Sequence, residues 1–143
     1  MVFYWEGVGN LDWTNCMKTA LSKEITSDKN LIVSLLSSAE KKITAEAILP
    51  EDLSEPKISL IYDALRAILE ALALKKGFKI YNHECYTAFL KEVMDESQLG
   101  DKFDEYRKLR NAINYYGKQI KQDEAKELIK GIKKLIKILK KKL

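Results

Sequence analysis

Residues 54–77 read SEPKISLIYDALRAILEALALKKG. Ile58, Ile61, Tyr62, Leu65, Ile68, Leu69 and Leu72 recur three and four positions apart, the apolar stripe of an α-helix. Ser54 can cap this helix, and Pro56 suits its first turn, where a missing N–H costs nothing. Lys75 and Lys76 fall in the last turn, where cations meet the negative end of the helix, and Gly77 ends it. This is the strongest helix of the chain, expected over 56–76.

The flanking segments supply those neighbours. Upstream, Pro50 and the acidic EDLSEP form a break. Before it, Leu31, Ile32, Leu35, Leu36, Ala39 and Ile43 predict a helix over 28–47 with Asp28 as its N-cap. Leu11, Met17 and Leu21 predict another over 11–24. Downstream, the connector FKIYN leads to a helix over 82–95 capped by Asn82, and Gly100 with Asp101 break the chain again. Phe103, Tyr106, Leu109 and Ile113 mark a helix over 101–117, with Tyr116 expected on its inner side. The last helix, 122–142, presents Leu128, Ile132, Leu135, Leu139 and Leu143 on one face, widened by Ile129, Ile136 and Ile138. No run of four to eight residues reads as a strand. The expected fold is all-α: one domain over 1–143, an up-and-down helical bundle of five to six helices, mostly antiparallel because the connections are short.

At 143 residues the chain can bury a core without staples. Its two cysteines, Cys16 and Cys85, form neither a disulfide framework nor a zinc-ligand spacing. They are expected to be inert in a reducing compartment, which with no visible signal peptide makes the cytoplasm the default. No run approaches the roughly 18 apolar residues of a membrane span, so no membrane is expected as a partner. No cofactor or metal is implied. The aromatic start (Phe3, Tyr4, Trp5) is expected to cover the bundle or a partner copy. The net charge of +4 is uneven: residues 118–143 carry ten lysines against three acids. Such a tail can contact phosphate or simply form a solvated face.

The polar motif is RKLRNAINYYG at 107–117. On a helix Arg107, Arg110, Asn111 and Asn114 share one face, and Tyr115 flanks it. Arginine's planar fork binds phosphate oxygens in pairs, asparagine bonds bases or sugars, and tyrosine can stack on a base. Asp63 and Glu70, two turns apart on the helix expected over 56–76, are candidate partners that would orient Arg110.

Three stretches in order (62–92, 106–117 and 123–136) resemble the HEPN family of small helical domains. That family's signature is an arginine, often followed by a polar residue, with a histidine five positions after the arginine. Arg110 and Asn111 match it, and Tyr115 stands at the histidine position. The resemblance implies a homodimer that joins two motifs in a cleft. It also implies a metal-independent ribonuclease or a catalytically lapsed relative, and a small nucleotidyltransferase as antitoxin-like partner. The tyrosine that such partners modify in some members has no counterpart, since its position is Gly117. Histidine serves RNA cleavage because its pKa lies near neutrality, whereas tyrosine's is about 10. The only histidine, His83, begins the 82–95 helix, where the resemblance implies a structural or capping role.

Three readings follow. The first is a module that binds RNA, a nucleotide or a partner protein at the cleft, with weak or no nuclease activity. The second is an active ribonuclease toxin using Arg110 with Tyr115 or His83. The third is a structural bundle in which the motif only fixes packing.

Overall fold

The computed structural model describes residues 11–143. The aromatic start, with Phe3, Tyr4 and Trp5, lies outside the described residues. The elements are α1 (Trp13–Lys18), β1 (Ser22–Glu24), α2 (Lys29–Ile48), α3 (Ser54–Lys75), β2 (Phe78–Ile80), α4 (His83–Ala88), a π-helical turn (Phe89–Val93), α5 (Ser97–Tyr116) and α6 (Gln122–Lys140). The fold is an all-α bundle.

The stretch that decides the fold also forms its axis. Of the 22 residues of α3, 14 are buried, including both polar Ser54 and Lys57. α2 and α6 pack along it, and α5 crosses it over a smaller area. Side chains from all sides meet at Tyr62, Phe103 and Tyr86: Tyr62 stacks on Phe103 at 5.9 Å, and Tyr86 meets Phe103 edge-on at 6.2 Å. α6 buries Ile129, Ile132, Leu135, Ile136 and Leu139 through one face, as its pattern predicts.

Local signals hold where they are strong. Asp28 caps α2 by accepting from the Leu31 N–H at 3.1 Å, and Asn82 caps α4 by accepting from Glu84 at 2.7 Å. Gly77 and Gly117 close α3 and α5 with φ of 93° and 67°, left-handed values that favour glycine. Ser54 differs from its expected role: it is the first helical residue, and no side chain caps α3.

Three expectations are corrected. The helix expected over 11–24 stops at Lys18, because Ala20 turns left-handed at φ 59°. Residues 22–24 then pair antiparallel with 78–80, Ser22 opposite Ile80 and Glu24 opposite Phe78. Each strand is three residues long, too short for alternation to show in sequence. The break expected at Gly100 falls instead at Asp95, where φ is 54°. Gly100 sits inside α5 because a Cβ there would lie 2.6 Å from Lys91 Cγ and 3.2 Å from the Thr87 carbonyl oxygen. Its missing side chain lets α5 approach the preceding helix. Between them, the 82–95 segment is α-helical only to Ala88. It then widens into a π turn whose Met94 N–H bonds the Phe89 carbonyl at 3.0 Å.

The cysteines are the third correction. Cys16 on α1 and Cys85 on α4 are fully buried and joined as a disulfide, 69 residues apart in sequence. With Leu11 N–H on Glu84 Oε2 at 3.2 Å and Trp13 N–H on Glu92 Oε2 at 2.7 Å, the bond ties α1 to the helix that carries His83. Such bonds persist in oxidising compartments and in intracellular proteins of hyperthermophiles. The pairing removes the ground for placing the chain in a reducing compartment. No helix of the described residues is long and apolar enough to cross a membrane.

Candidate anion-binding site

Between Leu60 and Leu74, four polar positions interrupt the apolar run of α3: Tyr62, Asp63, Arg66 and Glu70. Their edge faces α5 and the start of α4, and the polar face of α5 lies against it. Arg110 reaches back from α5. Its Nη2 donates to Asp63 Oδ1 at 3.4 Å, and its guanidinium carbon lies 5.2 Å from the centre of the Tyr62 ring, a cation–π contact. Its Nε is buried and has no hydrogen-bond partner among the described residues. A half-buried guanidinium has five donors, and here one long bond and a ring face are what engage it.

His83 stands on the other side of Tyr62. The Tyr62 hydroxyl and His83 Nδ1 are 3.2 Å apart. Burial pushes the Tyr62 phenol far up, so it keeps its proton. Among the described residues that phenol has no other hydrogen-bond acceptor, which favours donation to Nδ1 with the ring proton on Nε2. Burial first, and then the charges of Arg66 and Arg110, lower the His83 pKa to about 4, while Asp63 opposes them in part. At pH 7 His83 is therefore a neutral Nε2–H donor, and its basic lone pair is already occupied.

Glu70 does not reach Arg110. It bridges Arg66 Nη1 at 3.1 Å and Lys79 Nζ at 2.8 Å, joining α3 to β2. Arg107 is 7% exposed and gives both Nε and Nη2 to Asp104 Oδ1, at 3.0 and 2.9 Å. Thr87 of α4 donates to the same oxygen at 3.2 Å. Burial alone would raise the Asp104 pKa, but Arg107 and Lys108 outweigh it and hold the carboxyl below its ordinary value. Arg107 thus holds Asp104 within α5, and Asp104 in turn takes the bond from Thr87 that ties α5 to α4. Asn111 is half-buried on the same face. Asn114 is exposed and its Oδ1 accepts from Ser59 Oγ at 3.2 Å.

Tyr115 is 69% exposed and Tyr116 46%, so the expectation that Tyr116 turns inward is corrected. The structure brings together Arg110, Asp63 and His83, with Tyr62 as the shared contact. Arg66 also belongs to this cluster, and sequence reasoning passed over it. The signal was present: Arg66 lies one turn from both Tyr62 and Glu70 on a helix otherwise almost wholly apolar at its buried positions.

No group of three or more His, Cys, Asp or Glu side chains converges on a metal-sized space among the described residues. Comparison of the chain with protein-family models, with curated proteins and with solved structures finds no match.

Proposed function

We propose that the protein is a binding module of HEPN-like type that grips a phosphate of RNA or of a nucleotide through Arg110, with Arg66 and the His83 Nε2–H beside it. The observation that carries this reading is the state of Arg110. Its guanidinium is positioned by Tyr62 and Asp63, yet most of its donors are uncommitted. A phosphate oxygen pair meets such a fork better than a single carboxylate oxygen at 3.4 Å does.

The same geometry weighs against strand cleavage. Tyr115, at the position of the family's catalytic histidine, stands exposed on the surface. His83, the alternative base, has its Nδ1 engaged by Tyr62 and a pKa of about 4. A group with those properties donates a hydrogen bond well and abstracts a 2′-OH proton poorly. In this reading the exposed Tyr115–Tyr116 pair, one to two turns beyond Arg110, is the surface that a second copy or a small nucleotidyltransferase would cover.

The test is a gel shift of labelled single-stranded RNA at low salt without metal. Arg110→Ala is expected to weaken binding by about tenfold or more, the loss typical of one charge-assisted contact. The RNA should remain uncut by either protein. Equal binding by the variant would sink the proposal, and Arg110-dependent cleavage would move it to the ribonuclease reading.

A further inference from the structure

Glu46, near the end of α2, is 2% exposed, and its carboxylate is shared by Lys57 at 2.9 Å and Lys133 at 2.6 Å. Lys57 also comes within 3.9 Å of Glu51. Those two lysines are thus answered by carboxylates. Beside them lies a groove of about 510 Å³, bounded by the end of α2, the start of α3 and the length of α6. Its outer wall is Lys126, Lys130, Lys134 and Lys137, with Ile129 below. None of these four has a carboxylate within ion-pair distance among the described residues.

The four stand at i, i+4, i+8 and i+11, a single ridge about 16 Å long. Like charges at this spacing repel and weaken the isolated helix. The repulsion is concentrated where the surface is concave, which raises the local potential further. We propose that this groove holds the phosphate backbone of a nucleic acid without reading its bases. Lysine is a compact point charge that suits single phosphates, and among the described residues the groove lining includes no aromatic, asparagine or glutamine side chain that could stack on or pair with a base. A membrane surface fits less well. The apolar face of α6 is spent on the core, which leaves nothing to insert among lipids. The groove is distinct from the Arg110 site: Lys57 and Arg66 are nine residues apart on α3, about half a turn round its axis.

The experiment is fluorescence anisotropy of labelled oligouridine, measured from low to physiological salt. The comparison is between the wild type and the quadruple variant Lys126→Gln, Lys130→Gln, Lys134→Gln, Lys137→Gln, with circular dichroism confirming the fold. Four phosphate contacts on a single strand give a log–log salt slope of about −3. The quadruple variant is expected to lose that slope, and the pairs Lys126→Gln, Lys130→Gln and Lys134→Gln, Lys137→Gln to lose about half of it each. Arg110→Ala, by contrast, should keep most of the slope while lowering affinity, so the two sites fail separately. An unchanged slope in the quadruple variant overturns the groove proposal, as does absence of binding by the wild type. Lysine-dependent binding to phosphatidylserine vesicles with no change in the RNA slope overturns it in favour of a membrane surface.

Discussion

His83 and Lys57 show how single side chains here are defined by what surrounds them. His83 is held neutral by burial and by two arginines, with a pKa of about 4 against 6.5 in an unfolded chain. Between those values the unfolded chain binds a proton that the folded one refuses, so stability falls as pH drops through 6.5 towards 4. The loss is expected to reach about 2 kcal/mol by about pH 4.5, given the residue's partial exposure. His83→Gln should flatten that stretch of the profile, as urea midpoints across it would show. A profile of unchanged slope in the variant would refute the assignment. Lys57 combines two roles. Its ammonium group neutralises Glu46 and also donates to the backbone carbonyls of Glu46 and Leu49, at 2.7 and 3.2 Å, so it closes the end of α2. Lys57→Met should cost about 3 kcal/mol, because a buried carboxylate then keeps only Lys133. Adding Glu46→Leu should recover part of that loss in chemical denaturation.

At the scale of elements, the joint between α4 and α5 is set by backbone approach rather than by apolar pattern. Gly100 lies against Thr87 and Lys91, and Asp104 gathers Thr87, Arg107 and Lys108 just beyond it. Gly100→Ala should gain helix propensity of about 1 kcal/mol. It should lose more than that, because the Thr87 carbonyl cannot move aside without shifting α4. The expected outcome is a lower melting temperature and, on the function proposed above, weaker RNA binding, since α4 carries His83. A variant more stable than the wild type would contradict the close-approach reading of Gly100.

At the scale of the molecule, the Cys16–Cys85 bond closes a loop that spans α1 to α4. In the chain-entropy model a loop of 69 residues is worth about 4 kcal/mol. Replacing both cysteines by serine should lower stability by an amount of that order under non-reducing conditions. The same loss should appear in the wild type once it is unfolded in the presence of reductant. Coincident transitions with and without reductant would show that the bond contributes little. Trp13 stands at 5.1 Å from Phe78 and 5.8 Å from Phe89, so its fluorescence reports on whether α1 leaves the body first.

The helical class, the wide apolar stripe of α3 and the caps at Asp28 and Asn82 were legible in the sequence. These rest on periodicity and on side-chain bonds to nearby backbone, interactions that span four residues or fewer. The sequence also placed Arg107, Arg110, Asn111 and Asn114 on one face, because helical spacing decides that, but it offered both Asp63 and Glu70 as partners for Arg110, and packing chose Asp63. Other features came only with the tertiary structure. The pairing of 22–24 with 78–80, the disulfide, the approach at Gly100 and the meeting of His83 with Arg110 across Tyr62 join residues far apart in the chain. The choice of Glu70 for Arg66 and Lys79, and the exposure of Tyr115, were decided there too. No local pattern encodes such contacts, because each depends on which helix faces packing brings together.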